Sequence, residues 1–257
     1  MKEFYSKIGD HIIKITHPTD SLINLFKNHF ATKETKPDLS ITIQEGYGNP
    51  FSNYEVKIEK TVDKINFQRT DYMIEVDSEY KEAIVSVYDD LALKHALMNL
   101  YSSFIIYHNW GLLIHSSCVI EKDTAHIFAG QSGAGKSTAA KLSYPRDLLS
   151  DEATILKITP GEIIVCNSPF RSELESSKYL KGHPLGSIQL LYQSLQSQRI
   201  SVKKSDALIE LMNKVFYWET SAEETRNILG LLRTVVDTVP TFKLYFQKNN
   251  TFWELIS

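Results

Sequence analysis

Eight consecutive residues, Gly130-Gln131-Ser132-Gly133-Ala134-Gly135-Lys136-Ser137, have the types and spacing needed to hold a polyphosphate. They satisfy the pattern G-x-x-x-x-G-K-S, in which glycines let the backbone bend so that successive N–H groups face inward as an anion nest. Ser132, Gly133 and Ala134 keep that nest free of bulk, and Gln131 and Thr138 complete the stretch. Lys136 is spaced to reach the β- and γ-phosphates, and the Ser137 hydroxyl is placed to meet Mg²⁺. The helix that starts at Lys136 adds its N-terminal partial positive charge. An apolar strand, Ile127-Phe128-Ala129, enters the loop and a helix-compatible run, Ser137-Thr138-Ala139-Ala140-Lys141-Leu142, leaves it. That context favours a site for ATP and Mg²⁺ over a glycine turn without ligand.

Downstream the chain reads Leu148-Leu149-Ser150-Asp151-Glu152, an apolar run closed by two acids, with Asp151 fifteen residues after Lys136. Paired carboxylates near a triphosphate suit two tasks, one holding the metal and one taking the proton of an attacking hydroxyl. The competing reading is a solvated turn. Arg171, after Pro169-Phe170, has the guanidinium geometry for a phosphoryl oxygen, and a salt bridge is an equal alternative. Glu173 is a candidate either for metal or for holding Arg171. His115 sits in an apolar strand, where a lone histidine is more often a packed core residue than a site residue. Arg226 and Arg233 share a helical face and, with Lys203-Lys204, read as solvated. Tyr47, Phe51 and Tyr54, among glycines and a proline, read as an acceptor-binding loop or, more commonly, as aromatics packed on their own domain.

The elements that must position these groups follow from periodicity. Residues 112–120 and 124–129 are apolar runs joined by Glu121-Lys122-Asp123, a β-hairpin whose second strand feeds the phosphate loop. An antiparallel neighbour at that strand is unlike the common P-loop NTPases, where it is parallel. A short helix from Lys136 must end by Pro145, strands follow at 153–158 and 162–166, and a further strand at 187–192. Helices are expected at 205–217 and 222–236, and a closing strand at 242–247. Upstream, strands are expected at 11–16, 39–44, 64–70, 72–77 and 83–88, with a helix from Asp20 to Phe26 between the first two. Asp89-Asp90 caps a longer helix with Leu93, Leu97, Leu100 and Phe104 on one stripe. The division this implies is an antiparallel α+β region over residues 1–90 and a P-loop domain over 91–257.

Composition excludes several classes. With 257 residues, 42% hydrophobic and 23% charged, the chain can bury a core of its own. Its 28 basic and 31 acidic residues are spread along the chain, which argues against a nucleic-acid partner. No run approaches the roughly 20 apolar residues of a membrane span, and the start lacks a signal-peptide pattern, so a cytoplasmic location without membrane partner is expected. Cys118 and Cys166 lie in apolar surroundings and read as buried thiols.

The stretch from Gly111 to Phe170 resembles the catalytic domain of the HPr serine kinase/phosphorylase family. Ile114-His115-Ser116 is similar to the family's strand histidine, residues 130–137 to its loop, and Ser150-Asp151-Glu152 to its paired-acid motif. The resemblance implies an α/β fold with a mixed sheet, like phosphoenolpyruvate carboxykinase in its nucleotide half. It also implies that Asp151 accepts a proton, that Ser137 and Glu152 lie near Mg²⁺, and that His115 lines the reaction site. Glu152 stands where the family has aspartate. Asn167-Ser168-Pro169-Phe170-Arg171-Ser172-Glu173 stands in place of the glycine-rich segment that supports the family's reverse, phosphorolytic reaction. That segment, His183-Pro184-Leu185, and Val239-Pro240-Thr241-Phe242 with Leu244 look more like shorter HPr-kinase-like proteins of peptide natural-product clusters. Some of those phosphorylate a serine hydroxyl, including the terminal residue of lasso-peptide precursors. The partner so implied is a peptide or protein carrying an acceptor serine, with a small hydroxyl metabolite such as free serine as the alternative, and a homo-oligomer as the assembly. A nucleotide-dependent binding module without transfer is the reading from another class.

Overall fold

The computed structural model describes residues 2–17, 30–172, 174 and 181–256, and the chain divides into two compact units. The expected helix at Asp20–Phe26 and the candidate Glu173 lie outside the described residues. Both units are mixed α/β.

The first unit, Met1–His108 with Tyr217–Thr225, is built on a seven-stranded sheet. Its strands are β1 (Lys2–Ile8), β2 (His11–His17), β3 (Leu39–Glu45), β4 (Lys57–Lys60), β5 (Lys64–Gln68), β6 (Tyr72–Asp77) and β7 (Glu82–Val87), in the order β1-β2-β3-β7-β6-β5-β4. Alternation explains the burial: in β6 Tyr72, Ile74 and Val76 are buried and the residues between them half-buried. The expected antiparallel sheet is corrected, because β2 pairs with β3 and β3 with β7 in parallel. Alternation reports which face a side chain takes and is silent on strand direction. Helix α1 (Asp90–Tyr107) starts where the Asp89 carboxylate accepts from the Ala92 N–H at 2.9 Å, and it packs against β6 and β7. The first unit therefore runs to His108 rather than ending at residue 90. The stripe Leu93, Leu97, Leu100, Phe104 is buried as its spacing requires, together with most of the helix's remaining faces.

The second unit, Asn109–Phe216 with Arg226–Ser257, carries the phosphate-loop sequence. Its strands are β8 (Gly111–Glu121), β9 (Thr124–Ala129), β10 (Leu148–Ser150), β11 (Ala153–Thr159), β12 (Glu162–Cys166), β13 (His183–Gln193), β14 (Gln198–Ser201) and β15 (Thr241–Phe246). Helix α2 (Lys136–Leu142) follows β9, α3 (Lys204–Met212) follows β14, and α4 (Ala222–Thr238) precedes β15. The hairpin β8–β9 turns on Lys122 and Asp123, both at positive φ, which matches the twist of a tight two-residue connection. On its other side β9 pairs with β13 in parallel. The long strand β8 is paired on both edges and changes partner along each: β11 along Gly111–His115 gives way to β10 at Cys118–Val119 on one, and residues 214–216 give way to β9 along Ser116–Glu121 on the other. Helix α4 buries Ile228, Leu231, Leu232, Val235 and Val236, an i, i+3, i+4, i+7, i+8 stripe. An aromatic core of Phe128, Phe246, Phe252 and Trp253 backs β9 and α2, and the Trp253 indole N–H donates to Ser143 Oγ at 3.0 Å.

Candidate functional site

The loop between β9 and α2 has the backbone the sequence requires. Gly133 and Gly135 lie at φ +77° and +106°, where a side chain is strained, and a Cβ on Gly130 would stand 2.7 Å from that of Ala134. Gly135 also faces the Phe246 ring, which a Cβ would meet at 2.8 Å. The loop is pinned twice from within the unit: Gln193, at the end of β13, donates its side-chain amide to Gly133 O at 2.8 Å, and the Ser117 hydroxyl on β8 donates to Lys136 O at 3.1 Å. The Lys136 ammonium arches back and donates to Gly130 O at 3.1 Å and Gln131 O at 3.2 Å. Burial and the nearby charge of Lys214 lower its pKa. Ser137 and Thr138, half-buried, open α2.

The acidic pair reaches the same level of the sheet from the opposite edge of β8. Ala129, the last residue of β9, lies opposite Ser116, while Ala153, the first of β11, lies opposite His115. The Ser116 N–H donates to Glu152 O at 3.1 Å, so the Asp151-Glu152 bend that joins β10 to β11 lies beside that point. With one strand between them, loop and acids are separated by two strand spacings, roughly 10 Å. Around His115 and Ser116 this register brings the loop, His115 and the acids to one level of the sheet.

His115 is half-buried, its ring centroid 5.5 Å from that of Phe216. Desolvation, with Lys136 and Lys214 adding positive charge, holds its pKa down to about 4. It is therefore a neutral imidazole at neutral pH.

Asp151 is buried and engaged: it accepts from the Ser172 N–H at 3.0 Å, the Ser172 hydroxyl at 3.0 Å and the Leu174 N–H at 2.9 Å. Arg171 donates to the carbonyls of Leu148, Leu149, Ser168 and Leu174 and to Asn167 Oδ1. These bonds clamp residues 167–172 and Leu174 against β10, with Phe170 buried completely. Among the described residues the Arg171 fork, expected on phosphate or in a salt bridge, donates to main-chain oxygens and one amide. Glu152 is half-buried. Ser137 and Glu152 supply one hydroxyl and one carboxylate, which fits Mg²⁺, an ion that takes few protein ligands and completes its shell with phosphate oxygens and water. No cluster of three or more His, Cys, Asp or Glu suited to a metal occurs among the described residues.

Lys214 is the residue that sequence reading missed. The helix expected over 205–217 stops at Met212 with Asn213 as its C-cap, and residues 214–216 pair with β8: His115 N–H donates to Lys214 O at 2.7 Å and Phe216 N–H to Leu113 O at 2.9 Å. The run Val215-Phe216-Tyr217-Trp218 after Asn213, β-branched and aromatic, was the available signal. Two clefts flank the loop. One, of about 330 Å³, is lined by Gly130 to Ala134, Leu190 to Gln193, Glu210 and Lys214. The other, of about 600 Å³, is lined by Gly135, Thr138, Gln193 to Leu195 and Phe246 to Lys248.

Elsewhere, Cys118 and Cys166 are buried free thiols, and burial pushes the Cys118 pKa up. Arg233 is exposed and lies 3.7 Å from Asp237. Phe51 and Tyr54 pack edge to face at 4.9 Å within their own unit. No helix among the described residues is long and apolar enough to cross a membrane.

No family model and no curated protein sequence matches the chain. Among solved structures it is similar to the Hpr(Ser) kinase/phosphatase from Coxiella burnetii, at 11% identity and a TM-score of 0.32, over 56% of this chain and 90% of that one. A superposition that loose carries no argument, and the reading rests on the residues of the site.

Proposed function

We propose that this chain is a P-loop kinase that transfers the γ-phosphoryl group of ATP to a hydroxyl, with a serine on a peptide or protein as acceptor. The observation that carries the reading is the meeting, at the partner change of β8, of a glycine loop that fits a polyphosphate and an acidic bend two strands away. The loop amides and Lys136 bind and orient the phosphates. Ser137 and Glu152 hold Mg²⁺, which neutralises phosphate charge when bound. The cleft at Thr138, Leu195 and Phe246 offers partly apolar room for a nucleoside. In the transfer, the bond from the γ-phosphorus to the β,γ-bridging oxygen breaks, a bond to the acceptor oxygen forms, ADP leaves, and the acceptor's proton passes to Asp151. The choice of serine, including that of a lasso-peptide precursor, rests on the motif resemblance at residues 111–170.

A second reading, a nucleotide-dependent binding module without transfer, is favoured by one observation: Asp151 and Arg171 hold Ser172 and Leu174 and the main chain of β10. Incubation with γ-labelled ATP and Mg²⁺, with serine peptides and with free serine, separates the readings. Label on a peptide hydroxyl, lost in Lys136→Ala and Asp151→Asn, is the expected outcome. Label on free serine alone would replace the peptide by a metabolite. Tight nucleotide binding with no transfer to any acceptor would sink the kinase reading in favour of the module.

A further inference from the structure

Lys214 reaches the phosphate-loop cleft by main-chain pairing rather than by chance of a long side chain. Backbone groups of successive residues in a strand face opposite edges. The β8 edge that carries His115 N–H and Leu113 O is the edge that carries β9 further along, so the 214–216 segment continues the line of β9. The loop leaves β9 at Gly130, in the interval between Ala129 and Lys214. The Lys214 side chain lines the cleft on the loop residues Gly130 to Ala134.

Its charge has no answer there. Lys214 makes no ion pair or side-chain hydrogen bond among the described residues, although Glu210 lines the same cleft four residues earlier. Instead its nearest electrostatic neighbours include a second ammonium, that of Lys136, and the His115 ring. Lys214 lies in the cleft, and the Lys136 ammonium is folded onto Gly130 O and Gln131 O of the same loop; their like charges repel, and an anion with several charged oxygens bound at the loop reverses that into attraction.

We propose that Lys214 is a second phosphate-binding cation beside Lys136, contacting the terminal phosphates of a bound nucleoside triphosphate from the cleft at Gly130 to Ala134. The assignment rests on the nucleotide reading of the loop and adds to it a ligand-contacting residue. A charge-assisted hydrogen bond to phosphate contributes about 1.5–3 kcal/mol, which is about a ten- to hundredfold change in affinity. Because Lys214 is anchored through its main chain, replacing the side chain leaves the pairing with β8 intact.

The test measures binding of MgATP, AMP and inorganic tripolyphosphate by calorimetry to the full chain and to Lys214→Gln, Lys214→Met, Lys214→Arg and Lys136→Ala. The expected result is a loss of about ten- to hundredfold for MgATP and tripolyphosphate in Lys214→Gln and Lys214→Met, near-native affinity in Lys214→Arg, and unchanged AMP binding. Native tripolyphosphate affinity in both neutral variants, with binding lost in Lys136→Ala, would overturn the role of Lys214 and leave the phosphate loop standing. Equal weakening for AMP would mean a disturbed site rather than a lost phosphate contact, and would also overturn it. If the unmodified chain binds neither MgATP nor tripolyphosphate, the nucleotide reading itself falls, and the role of Lys214 with it.

Discussion

The two units each bury cationic side chains, and they treat them in opposite ways. In the first, Arg69 lies between the rings of Phe51 and Tyr72 at 4.8 and 4.4 Å and forks onto Asp71 at 2.6 and 2.9 Å, with His95 Nδ1 at 2.8 Å. Arg69 and Asp71 side chains are 4% and 0% exposed, and every feature of the cluster compensates the charge. In the second, the partners of the Lys136 ammonium among the described residues are carbonyls of its own loop, and Lys214 reinforces its charge instead of cancelling it. A compensated buried cation holds a fold together. Two like charges set close to one loop are an electrostatic cost to the unliganded protein that a bound anion offsets.

The sharpest way to break this contrast is to remove one partner on each side. Asp71→Ala strands Arg69 in the core and should cost about 3–5 kcal/mol, read as a drop in the denaturant midpoint of the first unit. Lys136→Ala should leave that midpoint unchanged and reduce phosphoryl transfer about a hundred- to thousandfold in a labelled-ATP assay. If Lys136→Ala unfolds the chain instead, the lysine is structural and the contrast fails. Asp151→Asn stands between the two classes. It replaces an acceptor by an amide facing the N–H groups of Ser172 and Leu174, so besides losing transfer it should destabilise the second unit by about 1–3 kcal/mol in a thermal or denaturant melt.

Titration gives the finest comparison. His95 and His115 are both held down to about 4, in the first case by burial with Arg69 and Lys94, in the second by burial with Lys136 and Lys214. A folded pKa below the ordinary 6.5 means that the unfolded chain takes up protons first as pH falls. Their contribution to stability is therefore complete above pH 6.5 and is lost as pH drops toward 4, which denaturant melts at pH 7 and pH 5 would show. Polyphosphate separates the two histidines. Bound at the loop, it offsets the lysine charges and should raise the His115 pKa while leaving that of His95 where it is, as followed by NMR of the imidazole protons. Parallel behaviour of both rings would contradict the assignment of the anion to the second unit.

Much of this arrangement was legible in the chain. The β8–β9 hairpin, the strand–loop–helix around residues 130–142, the Asp89 cap and the Leu93 to Phe104 stripe all follow from local period and turn chemistry. Strand β1 escaped notice because Lys2, Glu3, Ser6 and Lys7 make it too polar to read as a strand, although Ser6 and Ile8 are buried. Strand β14, four mostly exposed residues at a sheet edge, carries no pattern to read. The parallel pairings of β3 were invisible for a different reason, since partner and direction are set by strands distant in sequence.

By itself, the sequence determined that a phosphate-binding loop leaves an apolar hairpin strand, because glycine positions, a lysine and a hydroxyl at fixed offsets act through their own backbone. Only the tertiary structure decided that Asp151 and Arg171 hold Ser172 and Leu174 to β10, that β8 changes partner beside the loop, and that Lys214 lines the cleft at the loop. Each of those depends on which groups meet after the sheet has formed. Hydrogen-bond saturation and charge compensation are properties of neighbours in space, and the spacing of residues along the chain does not record them.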